Sequence, residues 1–308
     1  MSIHFETPLL ESRSLSQRKL KTIWLKMETC QPTGSFKTRG IGHACSIYRE
    51  RGAQRFISSS GGNAGLAVAY AGRKLGVPVT VVVPLTTSER AKRLIALENA
   101  EIIVHGESWN EADSFARSLV RERDAFVHPF DDELLWLGHA SMIDEISQTI
   151  AQPDAIVLSV GGGGLLCGVV HGLRRNRWHN VPVIAVETAG ADSYAQALHA
   201  NQLVQLPGIT SIATSLGARA VSREALALAA RHPIESVVVS DANAVAGCVE
   251  LLEEHRVVVE PACGASIAAL DADIPTLRDA TNIVVIVCGG VGASVGQFKA
   301  WSEAFAAE

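Results

Sequence analysis

The sequence predicts a layered α/β protein, its mostly parallel sheets flanked by helices, and three observations predict it. Short runs rich in Val and Ile recur, each followed by a stretch of helical periodicity, which is the pattern of strands joined by crossover helices. The loops between them hold Gly and Ser. The 308 residues are 47% hydrophobic but only 5% aromatic, so the interior is expected to be built from Ala, Val, Leu and Ile. A chain of that length has the mass for two lobes.

In chain order, residues 23–28 read as a strand, 35–51 as a helix capped by Thr33 or Ser35, 55–58 as a strand and 63–75 as an Ala-rich helix. Strands at 77–83, 101–105 and 125–128 follow, separated by helices near 89–99 and 109–123, and form one compact unit. A long helix is expected from Asp132 to about Ile150. Strands at 155–160, 183–187, 236–240 and 283–288 then build a second, larger sheet. No period of roughly 20–50 residues repeats, which excludes a solenoid.

Composition narrows the function. The formal charge is -5 and no basic cluster stands out, so the electrostatic footprint of nucleic-acid or anionic-membrane binding is missing and small molecules are the expected partners. The first ten residues lack a leader pattern and the apolar runs are strand-sized, so a cytoplasmic protein is expected. Cys30, Cys45, Cys167, Cys248, Cys263 and Cys288 show neither CxxC nor His-ligand spacing, which argues against zinc and against a disulfide framework.

The chemistry gathers at the turns. The run ending at Val160 meets Gly161, Gly162, Gly163 and Gly164, and a helix can begin at Leu165. Such a loop can curl its N–H groups toward one point, where the positive end of the helix dipole adds to them, and so hold a phosphate without a lysine. The spacing fits neither GxGxxG nor GxxxxGK[ST], which disfavours NAD and nucleoside triphosphates. Lys37 lies in PTGSFK at the start of a helix; the dipole and burial beside Phe36 both favour the neutral amine that attacks an aldehyde. A second turn, SSSGGNAG at 58–65, offers hydroxyls and N–H groups to a carboxylate, with Asn63 at the helix start. Cys288 ends a hydrophobic strand and meets Gly289 and Gly290, where sheets of this kind open onto ligands.

Together these motifs resemble the fold-type II pyridoxal phosphate enzymes, and within them the animal-type branch of the L-serine/L-threonine dehydratases. The likeness runs from Thr7 to about Ser294, and its specific stretches are QPTGSFKTRGIGH from Gln31, PFDDELLWLGHAS from Pro129, SVGGGGLLCGVV from Ser159, VEPACGA from Val259 and VIVCGG from Val285. The resemblance implies a two-domain, tryptophan synthase β-like fold. Residues 1–32 and 132–308 would form a large pyridoxal-phosphate-binding domain and 33–131 a small substrate-binding domain. It further implies that Lys37 forms a Schiff base with pyridoxal 5'-phosphate, Phe36 packs beside the ring, Asn63 bonds the ring's phenolic oxygen, and Gly161 to Gly164 with Leu165 wrap the phosphate. Ser215 would cover the opposite ring face and Cys288 would meet the pyridine nitrogen.

By the same resemblance Ser60, Gly61, Asn63 and Ala64 close on the carboxylate of a small hydroxyamino acid. Potassium is expected at Glu187 and the carbonyls of Gly161, Ala191, Leu216 and Ala218, and a homodimer is expected. The implied reaction is β-elimination of L-serine to pyruvate and ammonia, with L-threonine giving 2-oxobutanoate. Freed Lys37 would remove the Cα proton. Related racemases carry a serine at the place of Gly61, and glycine has no side chain to deliver a proton from the second face. The chain ends soon after Cys288, so no feedback-regulatory domain is expected. A β-replacing enzyme such as a cysteine synthase, and a catalytically silent binding protein, are the competing readings.

Overall fold

The computed structural model describes residues 3–305, so residues 1–2 and 306–308 of the expected larger domain lie outside the described residues. Among the described residues ten strands follow one another: β1 (Leu9–Glu11), β2 (Thr22–Lys26), β3 (Arg55–Ser58), β4 (Val79–Val83), β5 (Glu101–Val104), β6 (Asp124–Phe126), β7 (Ala155–Ser159), β8 (Val183–Thr188), β9 (Ile234–Val239) and β10 (Asn282–Ile286). One sheet runs β1-β2-β10-β7-β8-β9 and the other β5-β4-β3-β6. Among the described residues every pairing is parallel except that of β1 with β2. Crossover helices cover both faces, which is why β4 and β7 are apolar and buried at nearly every position rather than alternating.

Several element boundaries differ from the sequence reading, each for a local reason. The helix expected from Asp132 to Ile150 is two, Glu133–His139 and Ser141–Thr149. Around Ala140 the Ser141 hydroxyl donates to the Gly138 carbonyl, and the Ile143 N–H reaches back only to Ala140. The strand expected at 77–83 begins at Val79, since Pro78 has no N–H for the ladder, though its carbonyl accepts from Phe56. Neither Thr33 nor Ser35 caps the first long helix, which spans Lys37–Glu50 with Phe36 before it and no side-chain cap. Thr33 instead bonds Thr38 through their hydroxyls at 2.6 Å. The edge strand β1 and the helix Arg13–Lys19 had no counterpart in the sequence reading; Ser12 caps that helix by accepting from the Leu15 N–H.

A buried ionic network ties the Lys37–Glu50 helix to the six-stranded sheet. Arg39, fully buried, donates to both carboxylate oxygens of Glu28 at 2.7 and 2.8 Å and to both of Glu145 at 2.6 Å. Lys26 donates to Glu145 at 2.5 Å and to the Thr7 carbonyl at 2.7 Å, while the Thr7 hydroxyl donates to Glu28 at 2.6 Å. Every charge therefore has an opposite partner, which is what makes burial of four ionic groups tolerable. Gly138 and Gly40 let the Glu133–His139 helix cross this helix closely: a Cβ on Gly138 would lie 2.7 Å from the Gly40 Cα.

Candidate active site

Lys37 is the first residue of its helix, and the turn before it is stitched to the end of β10. The Phe36 N–H donates to the Cys288 carbonyl at 2.9 Å, Gly290 donates to the Gly34 carbonyl at 3.1 Å, and Ser35 bridges Gly289. Gly34 makes the turn with φ +72°, a conformation open to glycine at no steric cost. The Lys37 Nζ donates to the Pro129 carbonyl at 2.8 Å and lies 5.0 Å from the centre of the Phe36 ring. Burial lowers this amine from 10.5 to about 8, against opposing pulls from Cys288 and Glu260.

The acceptor of that lysine leads directly to the glycine loop. His128 accepts through Nδ1 from the Phe130 and Asp131 N–H groups, which folds the 128–131 turn. The Phe130 ring then lies on Gly162, where a Cβ would come within 2.3 Å of it, and the Phe130 carbonyl would be 2.8 Å from a Cβ on Gly164. Gly161 backs onto the Ser215 carbonyl and Leu216, and Gly163, at φ +93°, faces Ala225. Close packing thus requires glycine along this loop, in addition to the anion-binding reason read from the sequence. The helix Gly164–Arg175 starts here, so its free N–H groups and Leu165 stand at the loop.

Cys288 faces the same region. Its sulfur is 3.3 Å from the Ser159 hydroxyl at the end of β7. The turn at 58–65 approaches from the other sheet. Asn63 is the first residue of the helix Asn63–Leu75, and Gly62, rather than Asn63, occupies the cap position. Asn63 Nδ2 donates to Glu260 at 2.9 and 3.2 Å, and its buried Oδ1 has no partner. Glu260 also accepts from the Gly292 N–H at 2.6 Å. Ser60 Oγ accepts from the Gly62 N–H at 3.3 Å, Ala64 is buried, and Gly61 lies against Thr87.

The residues expected to hold a cation are partly gathered. Gly161 packs on Leu216, Ala191 and Leu216 share one apolar cluster, and the Ala218 N–H donates to the Leu216 carbonyl at 2.7 Å. Glu187 is buried, is pushed up to about 8 by that burial, and accepts from the Tyr194 and Ala195 N–H groups at 2.8 Å. Among the described residues no group of three or more His, Cys, Asp or Glu side chains could hold a metal ion.

Glu260, Thr87, Ser159, Cys263 and the Pro129–Phe130 pair were not singled out as site residues from the sequence. Glu260 had one usable signal, a carboxylate inside VEPACGA just before a helix. The assembled groups fit pyridoxal phosphate: an amine close to neutrality, a run of backbone N–H donors for a phosphate, a thiol, and two buried polar atoms, Asn63 Oδ1 and Ser35 Oγ, with no partner.

Residues 2–289 match the family model described as pyridoxal-phosphate dependent enzyme. The L-serine dehydratase/L-threonine deaminase of Homo sapiens is 46% identical over 312 residues, covering 98% of this chain and 95% of that protein. The L-serine dehydratase of Dictyostelium discoideum is 41% identical, covering 96% and 91%. Among solved structures, a fungal L-serine ammonia-lyase from Rhizomucor miehei is similar with a TM-score of 0.94 at 37% identity, covering 99% of this chain and 100% of that one.

Proposed function

Because the chain belongs to the family of pyridoxal-phosphate-dependent enzymes, we propose that it converts L-serine to pyruvate and ammonia, and L-threonine to 2-oxobutanoate and ammonia. Its two parallel-rich sheets are those of a two-domain fold-type II enzyme. The observation that carries the reading is the chain of contacts from the Lys37 amine through Pro129 and Phe130 to Gly162 and Gly164. It sets the reactive amine beside the loop that would grip a phosphate.

Pyridoxal phosphate, when bound, supplies an aldehyde for the amine and an electron sink for the charge left at Cα. Lys37 is the residue that takes the Cα proton, since a group poised near 8 can hold and release one at physiological pH. Gly161, Gly162, Gly163, Gly164 and Leu165 donate N–H groups to the phosphate, Phe36 packs beside the ring and Ser215 covers its other face. Asn63, held by Glu260, bonds the phenolic oxygen. Cys288 meets the pyridine nitrogen as a weak neutral partner, which favours elimination over transamination. Ser60, Gly61, Asn63 and Ala64 receive the substrate carboxylate, and Gly61 offers no second proton donor.

Residues 33–131 serve as the substrate-binding unit and the rest as the cofactor-binding unit. Glu187 with the carbonyls of Gly161, Ala191, Leu216 and Ala218 holds potassium, which added potassium in place of lithium tests through the thermal midpoint. Among the described residues no helix is long and apolar enough to cross a membrane. Our reading is a cytoplasmic homodimer, for which sedimentation supplies the mass. The decisive experiment measures pyruvate from L-serine with the cofactor-loaded protein and its Lys37→Ala variant. A loss of about a thousandfold is expected; equal rates would remove Lys37 from the reaction.

A further inference from the structure

The peptide group between Pro129 and Phe130 is held at both of its edges. Its carbonyl accepts from the Lys37 Nζ at 2.8 Å, and its N–H donates to Nδ1 of His128 at 3.3 Å. The bond is trans, so these two groups point to opposite sides of one plane. Proline fixes its own φ, which leaves the orientation of that plane to the groups that hold it. Turning the N–H away from His128 therefore turns the carbonyl away from the lysine.

The imidazole is set up for this task. Its Nδ1 also accepts from the Asp131 N–H at 2.8 Å, so the ring proton is on Nε2. Burial keeps the ring neutral, with its pKa down at about 4, and so keeps the Nδ1 lone pair available. The Phe130 ring stands edge-on to it, 4.7 Å between centres at 82°, and the Phe130 carbonyl accepts from Trp136 Nε1 at 2.8 Å. The turn belongs to no helix or strand, and among the described residues the Phe130 and Asp131 N–H groups have no other partner than His128. Donating a hydrogen to the Pro129 oxygen directs the lone pair of the Lys37 amine away from that oxygen, free for an aldehyde carbon or a Cα proton.

We propose that His128 is a positioning residue for Lys37: through the Pro129–Phe130 peptide it sets the carbonyl on which the amine rests whenever it is not joined to the cofactor. The free amine is thus held at one place both before the cofactor arrives and after the substrate amine displaces it. This deepens the function proposed above and rests on Lys37 being the residue that joins pyridoxal phosphate.

The test mixes the cofactor-free protein with rising pyridoxal phosphate and follows the visible absorbance that appears as the Lys37 amine condenses with the aldehyde and water leaves. The limiting rate reports the amine, and the half-saturating concentration reports the grip on the phosphate. His128→Ala and His128→Gln are expected to lower the limiting rate about tenfold, with half-saturation within about twofold of the parent. His128→Asn, whose Oδ1 takes the place of Nδ1, is expected to restore the rate, whereas the Gln oxygen reaches only the place of Nε2. The comparison of Asn with Gln decides the matter even where the alanine variant does not fold. A parent-like limiting rate in the Gln variant overturns the positioning role and leaves the proposed function standing. A rate as low in Asn as in Gln does the same, and so does a change confined to half-saturation. A parent protein that develops no visible band would overturn the proposed function itself.

Discussion

Replacing Lys37 by Met in the cofactor-free protein is expected to stabilise the fold near neutral pH, by an amount that fades as the solution becomes alkaline. Burial brings the amine from 10.5 down to about 8. Between those pH values the unfolded chain still holds a proton that the folded chain has released, so stability rises with pH through the window and levels off above it. Below about pH 8 both states carry the charge and the folded state bears the full desolvation cost. The gap between 10.5 and about 8, at 1.36 kcal/mol per pH unit, corresponds to about 3 kcal/mol. Solvent around the partly exposed side chain reduces that figure, and the methionine leaves the Pro129 carbonyl without its donor, a loss of about 1 kcal/mol. The net gain is therefore about 1–2 kcal/mol near pH 7 and close to zero at about pH 10. Urea unfolding of both proteins at the two pH values, followed by tryptophan fluorescence, measures it. A variant less stable than the parent at neutral pH, or a difference that does not change with pH, would refute the reasoning.

Other substitutions test the framework of the site. Arg39→Met strands the Glu28 carboxylate in the interior and leaves Glu145 with Lys26 alone, and is expected to cost about 3–5 kcal/mol in urea unfolding; Arg39→Lys recovers only part, having no planar fork to bond both oxygens. Gly162→Ala drives a methyl into the Phe130 ring and should weaken pyridoxal phosphate at least about tenfold in an absorbance titration, whereas Gly208→Ala, with nothing within 4 Å, leaves it unchanged. Gly61→Ala places its Cβ 2.7 Å from both Thr87 γ atoms, so the KM for L-serine is expected to rise about tenfold, and adding Thr87→Ala should bring it back; an unchanged KM in the single variant would show that Thr87 yields freely.

Much of the architecture follows from local rules that act along the chain. Val and Ile runs such as β4 and β7 favour strands, where their β-branched side chains pack on the pleated surface, and an apolar face on both sides requires helices over each sheet. The four glycines after β7 and the lysine after Gly34-Ser35-Phe36 are legible because their special conformations and chemistry need those residue types at those places. Boundaries were less legible where a side chain takes a backbone partner, as Ser141 does from the ladder at Ala140.

The sequence by itself determined the kind of chemistry, since an aldehyde-seeking amine, a phosphate loop and a carboxylate loop are each written in consecutive residues. Only the tertiary structure decided who meets whom. Lys37 lies 92 residues from Pro129, Asn63 197 from Glu260 and Ser159 129 from Cys288. Such pairings carry no local signature, because parallel sheets bring distant strand ends to one edge and the partner at that edge is chosen by sheet order and packing rather than by neighbours in the chain.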